Sequence, residues 1–228
     1  MEFQLSLPFS GSVVEPTGSS TISVAPLPPF KTIIADPPWR YGNQAARGAV
    51  KNRYETLSVK EIMDMPVEAL ADPTGSHLYL WTTNYFLATG EAGAVVRAWG
   101  FDPKTVVTWE KPGQLGAGNY FRNTTEHFIF AVKKKLRTLP PYNERTCFKA
   151  KRDGHSRKPE YFYKMVERRS YGPFLEIFAR YEPNGQTRLD EWTRWGNQVL
   201  GGKPVPLLDA YFASLKQPQI SPPPEAVP

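Results

Sequence analysis

Two alternating patterns of hydrophobic positions run along the chain between residues 31 and 200. Short runs of apolar, β-branched and aromatic residues predict β-strands. These runs lie at residues 31–35, 77–83, 104–109, 127–132 and 174–179. Between them the apolar positions recur every three or four residues, which predicts helices. Strands that alternate with helices are typical of an α/β domain built on one mainly parallel sheet.

The predicted helices carry start and stop signals. Residues 58–61 (SVKE) form a capping box, and Pro66 interrupts the helix that follows it. Pro159 suits the first turn of the last helix. The middle helix ends at Gly100. Its inward face carries Ala88, Ala92, Val95, Val96 and Trp99.

Proline marks the two ends of the chain. Twelve of the 23 prolines lie in residues 1–30 and 201–228, where no periodic pattern is present. We therefore predict Pro-rich, extended or disordered tails at 1–30 and 201–228, and one folded domain at 31–200. No apolar stretch has membrane length, and the start lacks a signal-peptide layout. We expect a cytoplasmic protein with no membrane association.

Cysteine and histidine are too sparse to predict a metal site. Cys147 is the single cysteine, and the three histidines lie far apart in the sequence. Charge is more informative, because thirteen Lys or Arg face four acids in residues 133–169, a net +9 in a chain of net +6. Positive charge concentrated in one segment indicates a polyanion partner, with a solvated basic loop as the alternative.

The candidate chemistry lies in Asp36-Pro37-Pro38-Trp39, directly after the first predicted strand. Ligands of α/β sheets bind beyond the carboxyl ends of the strands, which is where this tetrapeptide falls. No Gly-rich phosphate loop, GxSxG or paired His/Cys arrangement is present. The alternative is a rigid turn with a Trp packed beside it.

The tetrapeptide resembles the catalytic motif of amino-group methyltransferases that use S-adenosylmethionine. More of the chain resembles one branch, the adenine-N6 methyltransferases related to the catalytic subunit of the mRNA N6-adenosine methyltransferase. Further blocks fit the family in order: 53–58, 78–84, 98–101, 108–112, 118–133, 155–167, 174–180 and 195–199. The catalytic strand precedes the cofactor strand, so the resemblance implies a permuted Rossmann-like class I methyltransferase fold.

The chemistry of adenine gives the tetrapeptide a role. The 6-amino nitrogen is a poor nucleophile, because its lone pair is delocalised into the ring. The Asp36 carboxylate and the Pro37 carbonyl can accept its two N–H bonds, and both interactions strengthen as positive charge develops on nitrogen. Pro38 keeps the turn rigid, and Trp39 offers a face for stacking of the base.

The resemblance also implies substrate-binding residues. Tyr54 would flank the target base, with a surface tyrosine as the alternative. Arg122 and Glu126 lie in the block FRNTTEH. Glu126 would support the base or the active-site loop, and an ordinary ion pair between Glu126 and Arg122 is the alternative.

Five residues are implied to bind the cofactor. Lys158 would pair with the cofactor carboxylate, or else contact a phosphate. Glu176 and Arg180 would lie at the cofactor-side strand, although Glu176 could be purely structural. Asn197 and Gln198 would bind the ribose hydroxyls, with a helix cap as the alternative. The segment FLEIFAR lacks the Gly-x-Gly turn of many methyltransferases, and no acid precedes the tetrapeptide to bind the cofactor adenine.

The sequence therefore predicts transfer of a methyl group from S-adenosylmethionine to the 6-amino group of adenine in nucleic acid, without a metal. We expect DNA rather than RNA. RNA adenine-N6 methylation, cytosine-N4 methylation of DNA and a non-catalytic nucleic-acid-binding partner subunit remain the alternatives. A homodimer or a related partner subunit is compatible with the resemblance.

Overall fold

The computed structural model describes residues 29–42, 56–113, 115–116, 120–152, 157–180, 185–196, 202 and 204–216. The strands are β1 Thr32–Ala35, β2 Ser76–Thr82, β3 Asp102–Glu110, β4 Thr125–Lys133, β5 Cys147–Lys149, β6 Phe174–Ile177 and β7 Trp192–Trp195. The helices are α1 Val59–Met63, α2 Val67–Leu70, α3 Asn84–Ala88, α4 Glu91–Ala98, α5 Glu160–Arg169 and α6 Pro206–Leu215. A short 3₁₀ turn, Leu189–Glu191, precedes β7.

Within these residues the seven strands form one sheet in the order β5-β3-β4-β2-β1-β6-β7. β4 pairs antiparallel with β2 and β3, and every other pairing is parallel. Six strands therefore end at the same edge, where β4 begins. We call it the carboxyl edge and the opposite one the amino edge. A single, mainly parallel sheet with flanking helices confirms the predicted fold class.

The sheet is covered on both faces, because successive side chains of a strand point to opposite sides. Helices α1, α2, α3, α4 and α6 pack on one face. The strand residues buried there are Ile33, Ala35, Leu78, Leu80, Ile129, Ala131, Leu175 and Ile177. Helix α5 packs on the other face. The strand residues buried there include Ile34, Tyr79, Trp81, Trp109, Phe128, Phe174 and Trp192. The structure is a three-layer α/β/α domain.

The local signals explain where the helices begin and end. Both hydrogen bonds of the capping box between Ser58 and Glu61 are present, and α1 stops before Pro66. The second predicted helix is two helices, because Gly90 adopts a left-handed conformation between α3 and α4. Gly100, at φ +76°, ends this helical segment as predicted.

The tail predicted at 201–228 was wrong for part of its length. Residues 206–215 form α6, whose Leu208 is fully buried against the sheet. Its Asp209 accepts hydrogen bonds from the Trp195 indole at 2.8 Å and from the Val205 backbone at 3.1 Å. Strands β5 and β7 were also missed, because their short segments do not show an apolar run. Residues 1–28 and 217–228 lie outside the described residues.

In the described parts of the chain no helix is both long and apolar enough to cross a bilayer. The same residues contain no group of three or more His, Cys, Asp or Glu side chains arranged to hold a metal ion.

Candidate active site

Asp36 lies at the centre of the carboxyl edge. It directly follows β1, which pairs with β2 on one side and β6 on the other. After β1 the chain passes to β2, and after β6 it passes to β7 on the opposite side of the sheet. The crevice between the ends of β1 and β6 is therefore a topological switch point, where ligands of α/β sheets bind.

Backbone hydrogen bonds hold the tetrapeptide in one shape. The Trp39 amide donates to the Pro37 carbonyl at 2.9 Å, which closes a tight turn. The Leu57 amide donates to the Pro38 carbonyl at 2.9 Å, and the Arg40 amide donates to the Leu57 carbonyl at 2.9 Å. A carbonyl oxygen has two lone pairs, so Pro37 retains one acceptor site.

Trp39 is mainly part of the core. It is 7% exposed, its ring stacks on Phe86 at 4.7 Å between centroids, and its indole N–H donates to the Trp81 carbonyl at 3.1 Å. This packing agrees with the alternative of a Trp packed beside a rigid turn, and base stacking on Trp39 stays a prediction. Tyr41, half exposed beside Phe86, is an aromatic residue at the site that the sequence did not single out.

Four charged side chains form a cluster next to the tetrapeptide. Lys158 Nζ lies 2.9 Å from Asp36 Oδ2 and 3.0 Å from Glu126 Oε2. Lys111 Nζ lies 2.8 Å from Glu126 Oε1. We call Asp36, Lys111, Glu126 and Lys158 the charge cluster. Its two carboxylates and two ammonium groups balance, which allows the cluster to be largely buried.

The cluster stabilises its own ionised forms. Burial raises the pKa of Glu126, but the ammonium groups of Lys158 and Lys111 outweigh burial and lower this pKa to about 2. Burial lowers the pKa of Lys158, but Asp36 and Glu126 outweigh it and the pKa rises. The Lys158 ammonium also lies 4.7 Å from the centre of the Trp81 ring. Glu126 and Lys158 therefore stay charged at neutral pH.

Arg122 does not contribute to this cluster. It is exposed, and Glu126 instead pairs with Lys111 and Lys158. The alternative of an ordinary Glu126–Arg122 ion pair was therefore wrong. Lys111 is a site residue that the sequence analysis missed, although it lies in the block TWEKP that carried the resemblance.

Glu176 lies in the β6 strand, opposite Ile34 of β1, and is buried. It accepts a hydrogen bond from the Tyr163 hydroxyl at 2.6 Å and pairs with Arg194 at 3.2 Å. Burial raises the pKa of Glu176, although both partners oppose that shift. These contacts agree with the structural alternative, and a direct role in cofactor binding stays a prediction.

The end of β6 has an unusual backbone. Phe178 adopts a left-handed conformation at φ +67°, within the segment FLEIFAR that lacks a Gly-x-Gly turn. Its ring packs against Trp195 and Phe212. The next residue, Ala179, passes so close to Gly196 that a Cβ there would lie 2.2 Å from the Ala179 carbonyl oxygen. This turn and the close approach fix how the chain leaves β6 and β7.

Of the four remaining predicted cofactor and substrate residues, the structure describes Arg180. Arg180 follows this turn and is half-buried at the carboxyl edge. Tyr54, Asn197 and Gln198 lie outside the described residues. Gly196 directly follows β7 and precedes Asn197 in the chain.

The residues of the basic segment, 133–169, are contiguous in sequence but lie at two different edges of the sheet. Because β4 runs antiparallel, the exposed residues that follow it lie at the amino edge: Lys134, Lys135 and Arg137. The exposed residues that follow β5 lie at the carboxyl edge, on the side of Asp36: Lys151 and Arg152. Four other cations of the segment form ion pairs with protein carboxylates: Lys133, Lys149, Lys164 and Arg168.

The fold and the site define a class: a Rossmann-like α/β domain with paired carboxylates and ammonium groups at its switch point. The sequence model of the MT-A70 family matches residues 30–198, and the chain belongs to this family. The resemblance noted from its motifs is thereby confirmed.

Individual relatives are distant, and the matches to METTL3 and M.MunI cover most of the chain. The human N(6)-adenosine-methyltransferase catalytic subunit METTL3 is 27% identical over 199 residues, which cover 82% of this chain and 31% of METTL3. The type II methyltransferase M.MunI of Mycoplasma sp. is 28% identical over 198 residues, which cover 76% of this chain and 79% of that enzyme. The non-catalytic subunit MTB of Arabidopsis thaliana is 27% identical over 116 residues, 47% of this chain and 15% of MTB. The chain thus spans about three tenths of the METTL3 proteins it matches.

Proposed function

We propose that the chain transfers a methyl group from S-adenosylmethionine to the 6-amino group of adenine in nucleic acid. The observation that carries the proposal is Asp36 at the switch point, fixed at 2.9 Å from a buried Lys158 that also holds Glu126. Membership of the MT-A70 family and the similarity to the N(6)-adenosine-methyltransferase METTL3 support the same reaction.

The residues at the switch point fit a sulfonium cofactor. A sulfonium is a cation, and the Asp36 carboxylate at the end of β1 complements its charge. Lys158 is a buried donor for the cofactor carboxylate, and Arg180, Asn197 and Gln198 follow the strands beside it. When bound, S-adenosylmethionine supplies an electrophilic methyl group whose carbon–sulfur bond breaks as the carbon–nitrogen bond forms.

Asp36 and Pro37 act on the amino group. Asp36 Oδ2 faces Lys158, so Oδ1 is the atom that accepts one N–H bond of the base. The Pro37 carbonyl accepts the other N–H through the lone pair that the Trp39 amide does not use. Both acceptors strengthen as the nitrogen becomes positive, and Asp36 Oδ1 can take the proton that the nitrogen releases. The rigid turn keeps the two acceptors in place before the base arrives.

We further propose DNA rather than RNA as the substrate. This choice is supported by the share of each relative that the match covers, which is 79% for the type II methyltransferase M.MunI and 31% for METTL3. A homodimer or a related partner subunit belongs to the same proposal, since the non-catalytic subunit MTB is also a relative.

The test is methyl transfer from isotope-labelled S-adenosylmethionine to single-stranded DNA, duplex DNA and RNA, followed by digestion to nucleosides and mass identification. We expect label in 6-methyladenine, with DNA preferred. Asp36→Asn should lower the rate by about 10²–10³-fold, as removal of one transition-state hydrogen bond does in other enzymes. Asp102→Asn, on an exposed aspartate at the start of β3, is the matched control.

Four outcomes would contradict the proposal in different ways. Label in N4-methylcytosine would change the acceptor base, and a preference for RNA would change the polymer. If neither methyl transfer nor cofactor binding is detected, the chain is instead a non-catalytic partner subunit. A folded Asp36→Asn variant with near-normal activity would remove the mechanism.

A further inference from the structure

Two neighbouring aromatic residues stand almost fully in solvent on the connection between β3 and β4. Tyr120 is 96% exposed and Phe121 is 88% exposed. A phenylalanine exposed to this extent gains nothing from folding, since aromatic rings are usually buried for their large apolar area. We call Tyr120 and Phe121 the aromatic tip.

The arms beneath the aromatic tip are held in place. The Lys111 amide donates to the Thr124 carbonyl at 2.8 Å, and the Gly116 amide donates to the Asn123 carbonyl at 2.9 Å. The Asn84 side chain donates to the Asn123 side chain at 3.1 Å. These bonds continue the β3–β4 pairing beyond the carboxyl edge, so the aromatic tip is a hairpin end on the side of the sheet that carries Asp36.

The hairpin is connected directly to the charge cluster. Lys111 begins one arm and Glu126 lies two residues after Thr124 on the other, and these two side chains form an ion pair. Glu126 lies five positions after Phe121 in the chain, which limits the distance between their Cα atoms to about 18 Å. Stacked nucleotides advance by about 3.4 Å each. Asp36 lies about 6 Å beyond Glu126, across Lys158, so the aromatic tip is within about seven nucleotides of a base held at Asp36.

The surroundings of the aromatic tip are polar and cationic. The next residue, Arg122, is exposed. Lys151 and Arg152 are exposed after β5, the strand beside β3, at the same edge. A hydrophobic protein interface has a core depleted of charge. Exposed rings with cations beside them instead match single-stranded nucleic acid, which offers flat bases to stack on and phosphates to neutralise.

We propose that the aromatic tip stacks on unpaired bases flanking the target adenine. This inference rests on the proposed function and names the form of its substrate: a strand whose bases are unpaired near the target, either single-stranded or opened locally. Adenine in a paired stack cannot present its amino group to Asp36, so the neighbours of an extruded base need a substitute stacking partner. Tyr120 and Phe121 supply it.

The experiment compares binding of two oligonucleotides in the presence of S-adenosylhomocysteine, which prevents turnover. One is a single-stranded 15-mer with one central adenine, and the other is a trimer with the same centre. Tyr120→Ala and Phe121→Ala should each weaken binding of the 15-mer by about tenfold, the effect of a lost base–aromatic contact. The same two substitutions should weaken binding of the trimer less than binding of the 15-mer. Tyr142→Ala, on a tyrosine 68% exposed in the loop between β4 and β5, is the matched control.

A second pair of variants separates stacking from folding. Tyr120→Phe and Phe121→Tyr keep the rings and should bind the 15-mer as the native protein does. The inference is overturned if the alanine variants bind the 15-mer normally, or if the trimer loses as much affinity as the 15-mer. It is also overturned if the alanine variants change the sedimentation mass, because the rings would then join copies of the chain. Methyl transfer by the native protein is measured alongside, so failure of the proposed function is recognised separately.

Discussion

Removal of the Lys158 charge is the sharpest test of the charge cluster. Lys158→Met keeps the length of the side chain and removes the ammonium that lies 2.9 Å from Asp36 and 3.0 Å from Glu126. Those distances place the two carboxylate oxygens within about 6 Å of each other. At an effective dielectric constant of about 20, two unit charges at about 6 Å repel by about 3 kcal/mol. In the native protein the Lys158 ammonium offsets this repulsion, so we expect the free energy of unfolding at pH 7 to fall by at least about this amount when the ammonium is removed.

The same reasoning predicts that the effect of Glu126→Gln on stability depends on whether Lys158 is present. In the native protein Glu126→Gln removes two ion pairs and is destabilising, because Lys158 and Lys111 lose a buried partner. In the Lys158→Met background Glu126→Gln removes the repulsion with Asp36, a gain of about 3 kcal/mol that offsets the loss of the Lys111 ion pair, so the substitution should destabilise the protein less than in the native background. Urea unfolding of the four proteins at pH 7 measures this double-mutant cycle. Lys164→Met, which removes an exposed i,i+4 ion pair of α5, is the control.

The pH dependence gives an independent check. In the native protein the pKa of Glu126 is about 2, below its ordinary value of 4.5. The stability that its ionisation contributes is therefore complete above pH 4.5 and is lost as the pH falls to about 2. In Lys158→Met the repulsion from Asp36 raises the pKa of Glu126, so this loss begins at higher pH. Equal destabilisation by Glu126→Gln in both backgrounds, with an unchanged pH profile, would refute the account of the charge cluster.

Two further predictions concern the basic segment and a buried histidine. The double variant Lys151→Gln, Arg152→Gln should lower the salt dependence of duplex DNA binding, the slope of log K against log salt, by about 2, whereas Lys134→Gln, Lys135→Gln should leave this slope unchanged. Fluorescence anisotropy between about 50 and 200 mM salt measures the slope. The reverse result would place the DNA-binding face at the amino edge. Burial lowers the pKa of His77 to about 4 from 6.5, so the native protein should lose about 2 kcal/mol of stability between pH 7 and pH 5, as the unfolded chain takes up the proton. Urea unfolding checks this loss, and an equal loss in His77→Gln would assign it to another group.

The local features of the fold were predictable from the sequence because their causes are local. The capping box at Ser58, the stop at Gly100 and the apolar run before Asp36 each depend on residues within one turn or one strand. Asp36 could be placed at the carboxyl edge because a strand that precedes an acid fixes where that acid lies. The order of the motif blocks supplied the rest of the fold.

The contacts within the site were less predictable, because they join residues distant in the chain. Lys111 meets Glu126 across the β3–β4 pairing, and Lys158 arrives from the start of α5. Nothing in the local sequence says which lysine reaches which carboxylate. The division of the basic segment depends on the antiparallel direction of β4, and helix α6 was obscured by the prolines around it.

The charge cluster explains how a carboxylate can be fixed and still remain a strong acceptor. An ammonium paired with Asp36 alone would neutralise it, and the carboxylate would attract the developing positive charge on adenine only weakly. Here Lys158 is shared, at 2.9 Å from Asp36 and 3.0 Å from Glu126. When positive charge approaches Asp36, the ammonium keeps a full partner in Glu126, so it can move away from Asp36 without becoming an isolated buried charge. In the proposed reaction Glu126 would therefore act through Lys158, and this role accounts for a carboxylate that lies beside the site and pairs with two lysines.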